Sequence, residues 1–178
     1  MNYFKLICII CATFVSVEGF AQGQIRRPTK KQPQRSVQNS QTKLTKYNNV
    51  RSYYDGLAVV ELNGKYGYID KAGKEVTPIK YDDAWSFSEG LGRVRQNGQY
   101  AYLDKNGNIA ILVKYSGAYD FSEGLARVRQ DGKYGYIDKT GNIVIPIKYD
   151  YADDFHDKWA QVRQNGEDFY INKIGIRQ

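Results

Sequence analysis

The 178-residue chain is poor in the groups on which most enzyme chemistry depends, with 2 cysteines, 1 histidine and 1 methionine. Proline is scarce as well, with 4 in all, and no long apolar run occurs after the first twenty residues. The shortage of long apolar runs argues against a protein that crosses a membrane with several helices, since a spanning helix needs about 20 apolar residues. Both cysteines, Cys8 and Cys11, fall in the N-terminal apolar run. With that run removed, no thiolate nucleophile, disulfide or Cys-rich zinc site is available, and His156 alone would have to serve every role of a catalytic imidazole.

Residues 1–21 read as a secretory signal peptide: one basic residue, Lys5, then an apolar run from Leu6 to Val17, then Gly19-Phe20-Ala21 with small residues where a signal peptidase cuts. Cleavage after Ala21 is expected, which places the mature protein in the periplasm, on the cell surface or outside the cell. The run is too short for a transmembrane anchor. Lipidation is disfavoured because Cys8 follows Ile7 and Cys11 follows Ile10, both too large for a lipobox.

The formal net charge of +7 is local. Arg26, Arg27, Lys30, Lys31, Arg35, Lys43 and Lys46 crowd one acid-free stretch, while acids and bases balance in the remainder. A nucleic-acid-binding domain would carry its charge on a folded face, so no nucleic-acid partner is expected. Residues 22–42, rich in Gln, Lys, Arg, Ser, Thr and Pro, are expected to form a disordered basic linker. Their alternative reading is attraction to anionic surfaces, screened by salt.

From Lys43 onward the chain repeats. Residues 87–120 align without a gap on residues 121–154 with 22 identities in 34. The same register extends to both sides, dividing the rest into four units, 43–76, 77–110, 111–144 and 145–178. A 34-residue period also suits helical hairpins, so content must decide. Leu125–Arg129 and Tyr134–Asp138 alternate with period two around Asp131-Gly132, a two-residue hairpin signal. Asp138-Lys139-Thr140-Gly141 is a second turn, and Ile143–Lys148 is a β-branched run whose Pro146 suits an edge strand. The expected fold is all-β, a tandem array of three-stranded meanders joined by KYDxAxxF loops. It is expected to be open and solenoid-like, the alternative being a small closed propeller.

The pattern F-x-E-G-L-A-x-V-x-x-x-G-K-Y-G-Y-I-D-K-x-G-x-x-V-I-P-x-K-Y-D-x-A resembles the WG-repeat family of tandem β-rich repeats. The aromatic-Gly pair is Tyr66-Gly67 and Tyr134-Gly135, but Tyr100-Ala101 and Asp168-Phe169 in the other two copies. The resemblance implies a repeat scaffold that binds other molecules, and it brings no catalytic residues.

Pairing the strands across Asn97-Gly98 separates two faces. Val94, Ala101 and Leu103, with Ala126, Val128, Gly135 and Ile137, form the small apolar face and the expected core, where Gly67 and Gly135 admit a close neighbour. The other face carries Arg93, Arg95, Tyr100, Tyr102, Arg127, Arg129, Tyr134 and Tyr136. These eight are the candidate binding residues, read either as guanidinium groups stacked on phenol rings for stability or as a docking surface for a protein or an envelope glycan.

An enzyme is not expected, and neither is a cofactor. Asp153, Asp154, His156 and Asp157 match no zinc or EF-hand spacing. Asp82, Asp83 and Asp150 could supply a hydrolase's carboxylates, yet similar acids recur in every unit; Asp70, Asp104, Asp138 and Asn172 fall where a turn wants an Asx residue. The leading expectation is a protein-binding scaffold, ahead of a carbohydrate or peptidoglycan binder and a loop-carboxylate hydrolase.

Overall fold

The computed structural model describes residues 44–178. The expected signal peptide, 1–21, and the whole of the expected basic linker, 22–42, lie outside the described residues. Fourteen strands follow one another: β1 (Asn49–Tyr54), β2 (Leu57–Leu62), β3 (Lys65–Asp70), β4 (Asp83–Ser88), β5 (Leu91–Gln96), β6 (Gln99–Leu103), β7 (Ile109–Leu112), β8 (Gly117–Ser122), β9 (Leu125–Gln130), β10 (Lys133–Asp138), β11 (Ile143–Tyr149), β12 (Tyr151–Ala152), β13 (Trp159–Gln164) and β14 (Glu167–Asn172). They form four separate antiparallel meanders, β1-β2-β3, β4-β5-β6-β7, β8-β9-β10-β11 and β12-β13-β14, none closed into a barrel. A fourth strand is sketched in the first sheet by bridges Tyr66–Tyr81 and Ile69–Glu75, and in the last by Ile171–Arg177.

The array is all-β with the expected period, and one detail differs. The KYDxAxxF segment is not a loop: its Lys-Tyr closes the edge of one sheet, as Tyr149 in β11 and the Tyr81 bridge to Tyr66 show, and its later residues are the first strand of the next, so the full unit has four strands rather than three. It escapes a period-two reading because it is bulged: Ala84 faces Val94 and Phe87 faces Gly92, with a register shift between them, and Ala118 and Phe121 repeat the pattern. Two inward residues three apart look like no regular strand.

The hairpins form at the expected turns. Asn97-Gly98 and Asp131-Gly132 both take positive φ at each central residue, the left-handed pair a two-residue turn requires. Registers across them are as expected, with Arg93 opposite Tyr102, Arg95 opposite Tyr100, Arg127 opposite Tyr136 and Arg129 opposite Tyr134. The in-phase residues Asp70, Asp104, Asp138 and Asn172 each accept backbone N–H bonds two and four residues ahead, at 2.9–3.2 Å. The bonds to the Asn108 N–H and, at Asp138, to the Thr140 hydroxyl hold the Asp104 and Asp138 carboxyls below the usual range.

No sheet keeps its core to itself. Tyr68 of the first sheet packs with Ala84, Phe87 and Val94 of the second. Tyr102 packs with Phe121, Ala126 and Val128 of the third, and Tyr136 with Phe155, Ala160 and Val162 of the fourth. Before the first sheet, Leu44 and Tyr47 cover Ala58, Val60 and Ile69. Successive sheets meet mainly through the first strand of the later sheet, β4 against β1, β2 and β3, and β8 against β4 and β5, while the third sheet meets the fourth through β10 on β12 and β11 on β13.

Candidate functional site

The eight Arg and Tyr candidates separate into two groups. Tyr102 and Tyr136 are fully buried, Arg93 is 8% exposed, and Arg127 is nearly as covered. Arg95, Tyr100 and Tyr134 are half-buried, and Arg129 is exposed. Strand twist and stacking account for the split, since the end of each hairpin nearer the next sheet is covered by it while the turn end stands clear.

The buried group forms the junctions. The Tyr68 ring meets Phe87 edge-on at 4.8 Å, Tyr102 meets Phe121 at 4.9 Å and Tyr136 meets Phe155 at 4.9 Å. Such pairs add about 0.5–1.5 kcal/mol beyond area burial. Each hydroxyl donates to backbone of the following unit: the single Tyr68 proton is shared between Trp85 O at 2.7 Å and Arg93 O at 3.0 Å, Tyr102 donates to Tyr119 O, and Tyr136 to Asp153 O at 2.6 Å. Burial pushes all three phenols well up, so they remain protonated donors.

The guanidinium groups cross the same junctions. Arg93 donates to Ala118 O and pairs with Asp120 at 2.9 Å, and Arg127 donates to Ala152 O. Arg127 Nε lies 3.3 Å from Asp154 Oδ1 without a hydrogen bond, and burial, reinforced by repulsion from Asp120 and Asp153, raises the Asp154 carboxyl against the pull of Arg127. In the first sheet Val59 stands at the Arg position, and Arg51 of β1 takes over, donating to Ala84 O at 3.0 Å.

The half-exposed residues form a row that continues from one sheet to the next. Arg93 sits 3.8 Å from the Trp85 ring, and Arg127 sits 3.9 Å from Tyr119. The rings themselves neighbour hairpin tyrosines: Trp85 with Tyr100 at 6.0 Å, Tyr119 with Tyr134 at 6.3 Å, and Tyr134 with Tyr151 at 6.5 Å. Arg51 lies over Tyr66 at 5.5 Å and Arg129 over Tyr134 at 5.6 Å. Arg95 is held by Asp83, Nε to Oδ2 at 2.8 Å. Trp85 and Tyr119 lie on the bulged strands β4 and β8, and Tyr151 on the two-residue β12, where no period of two marks a strand; the in-phase aromatic pair Trp85 and Tyr119 is the signal the sequence offers.

The acids weighed for catalysis have local structural partners. Asp82 Oδ2 accepts from Asn97 N at 2.7 Å, and Asp150 Oδ2 accepts from Asn165 N at 2.8 Å, each clamping a hairpin turn, with Lys65 and Lys133 as ion-pair partners. Glu89 accepts from Gly124 N and Glu123 from Lys158 N, both at 3.0 Å, across neighbouring sheets. The Asp153–Asp157 cluster disperses: Asp153 takes the Tyr151 hydroxyl, Asp154 faces Arg127, and His156 contacts Asp157 at 3.3 Å in the open. Among the described residues no group of three or more His, Cys, Asp or Glu is gathered as a metal ion would require.

A family profile described as the WG containing repeat matches four consecutive segments, 45–66, 66–100, 100–134 and 134–167. The chain belongs to the WG-repeat family. The aromatic-Gly position from which the repeat takes its name has a visible role: a Cβ on Gly135 would come within 2.7 Å of Ile145 O and Ile147 N, so the residue must be small for β11 to lie against β10. At the same WG-repeat position in the last unit, Phe169 instead stacks under Arg177 at 4.4 Å.

A comparison with curated proteins finds no match. Among solved structures, KlHsv2 with loop 6CD replaced by a Gly-Ser linker is similar, at 11% identity over 74% of this chain and 52% of that one, with a TM-score of 0.51. Kluyvelomyces marxianus Hsv2 is similar at 13% identity over 74% and 50%, with a TM-score of 0.50. The chain thus spans about half the length of these structures, and the likeness is one of fold.

Proposed function

We propose that this WG-repeat array is an exported, non-enzymatic scaffold that docks a protein partner across the aromatic row. The observation that carries the reading is the row itself, formed by Tyr66, Trp85, Tyr100, Tyr119, Tyr134 and Tyr151 with Arg51, Arg95 and Arg129 beside them. Tyr, Trp and Arg are the residue types that dominate binding hot spots. Stacking and ion pairing already restrain these side chains, which lowers the ordering cost of docking. Export rests on the signal-like residues 1–21. The absence of a catalytic role is supported by the structural partners of the recurring acids.

The test is affinity capture from the producer's envelope and medium, comparing the protein with a variant in which Arg95, Tyr100, Arg129 and Tyr134 are Ala. These four are half-buried or exposed, so the variant is expected to fold, as circular dichroism would show. A protein retained by the first and lost by the second supports docking through the row. Capture of a glycan in place of a protein would favour the carbohydrate reading, and equal capture by both would remove the row from consideration.

A further inference from the structure

In the first and third sheets the edge segment lies down on the small residue of the aromatic-Gly pair. A Cβ on Gly67 would meet Pro78 O at 3.1 Å, and one on Gly135 would meet Ile145 O at 2.7 Å. Past that contact Tyr81 bridges to Tyr66, and Tyr149 pairs with Tyr134. The second sheet carries Ala101 at this position, whose methyl group excludes so close an approach. There β7 ends at Leu112, opposite Ala101, with one further bond from Val113 N to Tyr100 O at 3.0 Å. Among the described residues Tyr115 makes no pairing with Tyr100 to match the other two. Beside Ala101 lies a cleft of about 190 Å³, between the second sheet and the Lys80-Tyr81 end of the first.

Tyr81, Val94, Ala101, Ile109 and Leu112 give the cleft an apolar lining, of which Ile109 is 63% and Leu112 60% exposed. An apolar cavity of about 150 Å³ holds a benzene ring, so the cleft has space for one aromatic side chain. Lys80 is the one charged residue of the lining. Its ammonium stands 5.3 Å from the Tyr81 ring, and among the described residues no carboxylate pairs with it. Asp82 and Asp83, which follow in the chain, are committed to Lys65 and Arg95. Charge complementarity at such a cleft selects an apolar group that carries a carboxylate beside it.

We infer that this cleft receives an aromatic side chain of the protein partner, with an acidic residue next to it in the partner's chain reaching Lys80. A protein segment is the occupant because Tyr100 belongs both to the cleft lining and to the aromatic row, so a chain laid along the row arrives at the cleft. The ring covers the exposed faces of Ile109 and Leu112, and the carboxylate sets its direction. The inference rests on the docking reading and names the chemistry of one anchor within it.

Amide chemical-shift titrations with two peptides, acetyl-Phe-Asp-amide and acetyl-Phe-Asn-amide, test it on the wild type, Lys80→Gln and Ala101→Phe. Lys80→Gln removes the charge at an exposed position, and Ala101→Phe fills the cleft with the residue that the last sheet carries in phase, Phe169. Melting temperatures check that both variants fold. The acidic peptide is expected to shift the Gln99, Ala101 and Leu112 amides saturably in the wild type. Binding should be about two- to fivefold weaker for the Asn peptide and for Lys80→Gln, the worth of an exposed ion pair, and absent in Ala101→Phe. Shifts that do not saturate, equal binding of the two peptides, or binding unchanged in either variant would overturn the inference. These probes need no partner, so the outcome is separate from the envelope capture: a protein held through the row by a wild type whose cleft takes neither peptide would keep the row and remove the cleft.

Discussion

Tyr68, Tyr102, Tyr136 and Tyr170 are one residue repeated at 34-residue steps, yet only the first three are buried, and Tyr170 is 50% exposed. The difference is whether a following sheet is present to receive the hydroxyl. Removing the hydroxyl from a buried member leaves a backbone carbonyl without its donor, which costs about 1–3 kcal/mol. Tyr68→Phe, Tyr102→Phe and Tyr136→Phe are each expected to lower stability by that amount, since each hydroxyl has one proton to give. Tyr170→Phe should stay within about 0.5 kcal/mol of wild type, as surface changes usually do. Urea unfolding of the four variants checks this, and an equal loss at Tyr170 would show that the hydroxyl bonds are not the cause.

At the scale of the strand and sheet, much was legible in the sequence and one strand was not. The two-residue turns, the hairpin registers and the Asx turns follow from local rules, because Asn-Gly, Asp-Gly and a period of two are properties of a few adjacent residues. The first strand of each sheet is bulged, and its pattern has meaning only opposite Val94 and Gly92, or Val128 and Ala126. The small residue of the aromatic-Gly pair belongs to this scale too. Gly67, Ala101 and Gly135 hold one position, and the space around them differs: a Cβ at Gly135 meets backbone at 2.7 Å, whereas at Gly67 the approach is 3.1 Å. Gly135→Ala is therefore expected to cost about 1–3 kcal/mol by overpacking against β11, and Gly67→Ala less. Thermal melts of the two variants would decide it, with equal costs counting against the close approach as the cause.

Across the whole array, the candidate site was only partly visible in the sequence because its two halves lie on different sheets. Alternation marks Arg93 and Tyr102 as sharing a face, but it cannot tell that this face meets Ala118, Tyr119 and Phe121 of the next unit. The same geometry fixes how the protein unfolds. Three of the four core clusters draw on two adjacent sheets, the fourth being the Leu44 and Tyr47 cover on the first sheet, so stability must pass along the array. Trp85 in the second sheet and Trp159 in the fourth are natural reporters of distant units. Single-tryptophan variants, Trp159→Phe and Trp85→Phe, are expected to give urea transitions that coincide, each with the change in circular dichroism of the same variant. Adding Phe155→Ala cuts the last junction, at a cost of about 3–5 kcal/mol, and should move the Trp159 transition to lower urea than the Trp85 transition. Transitions that separate in the intact array would show that its sheets unfold independently.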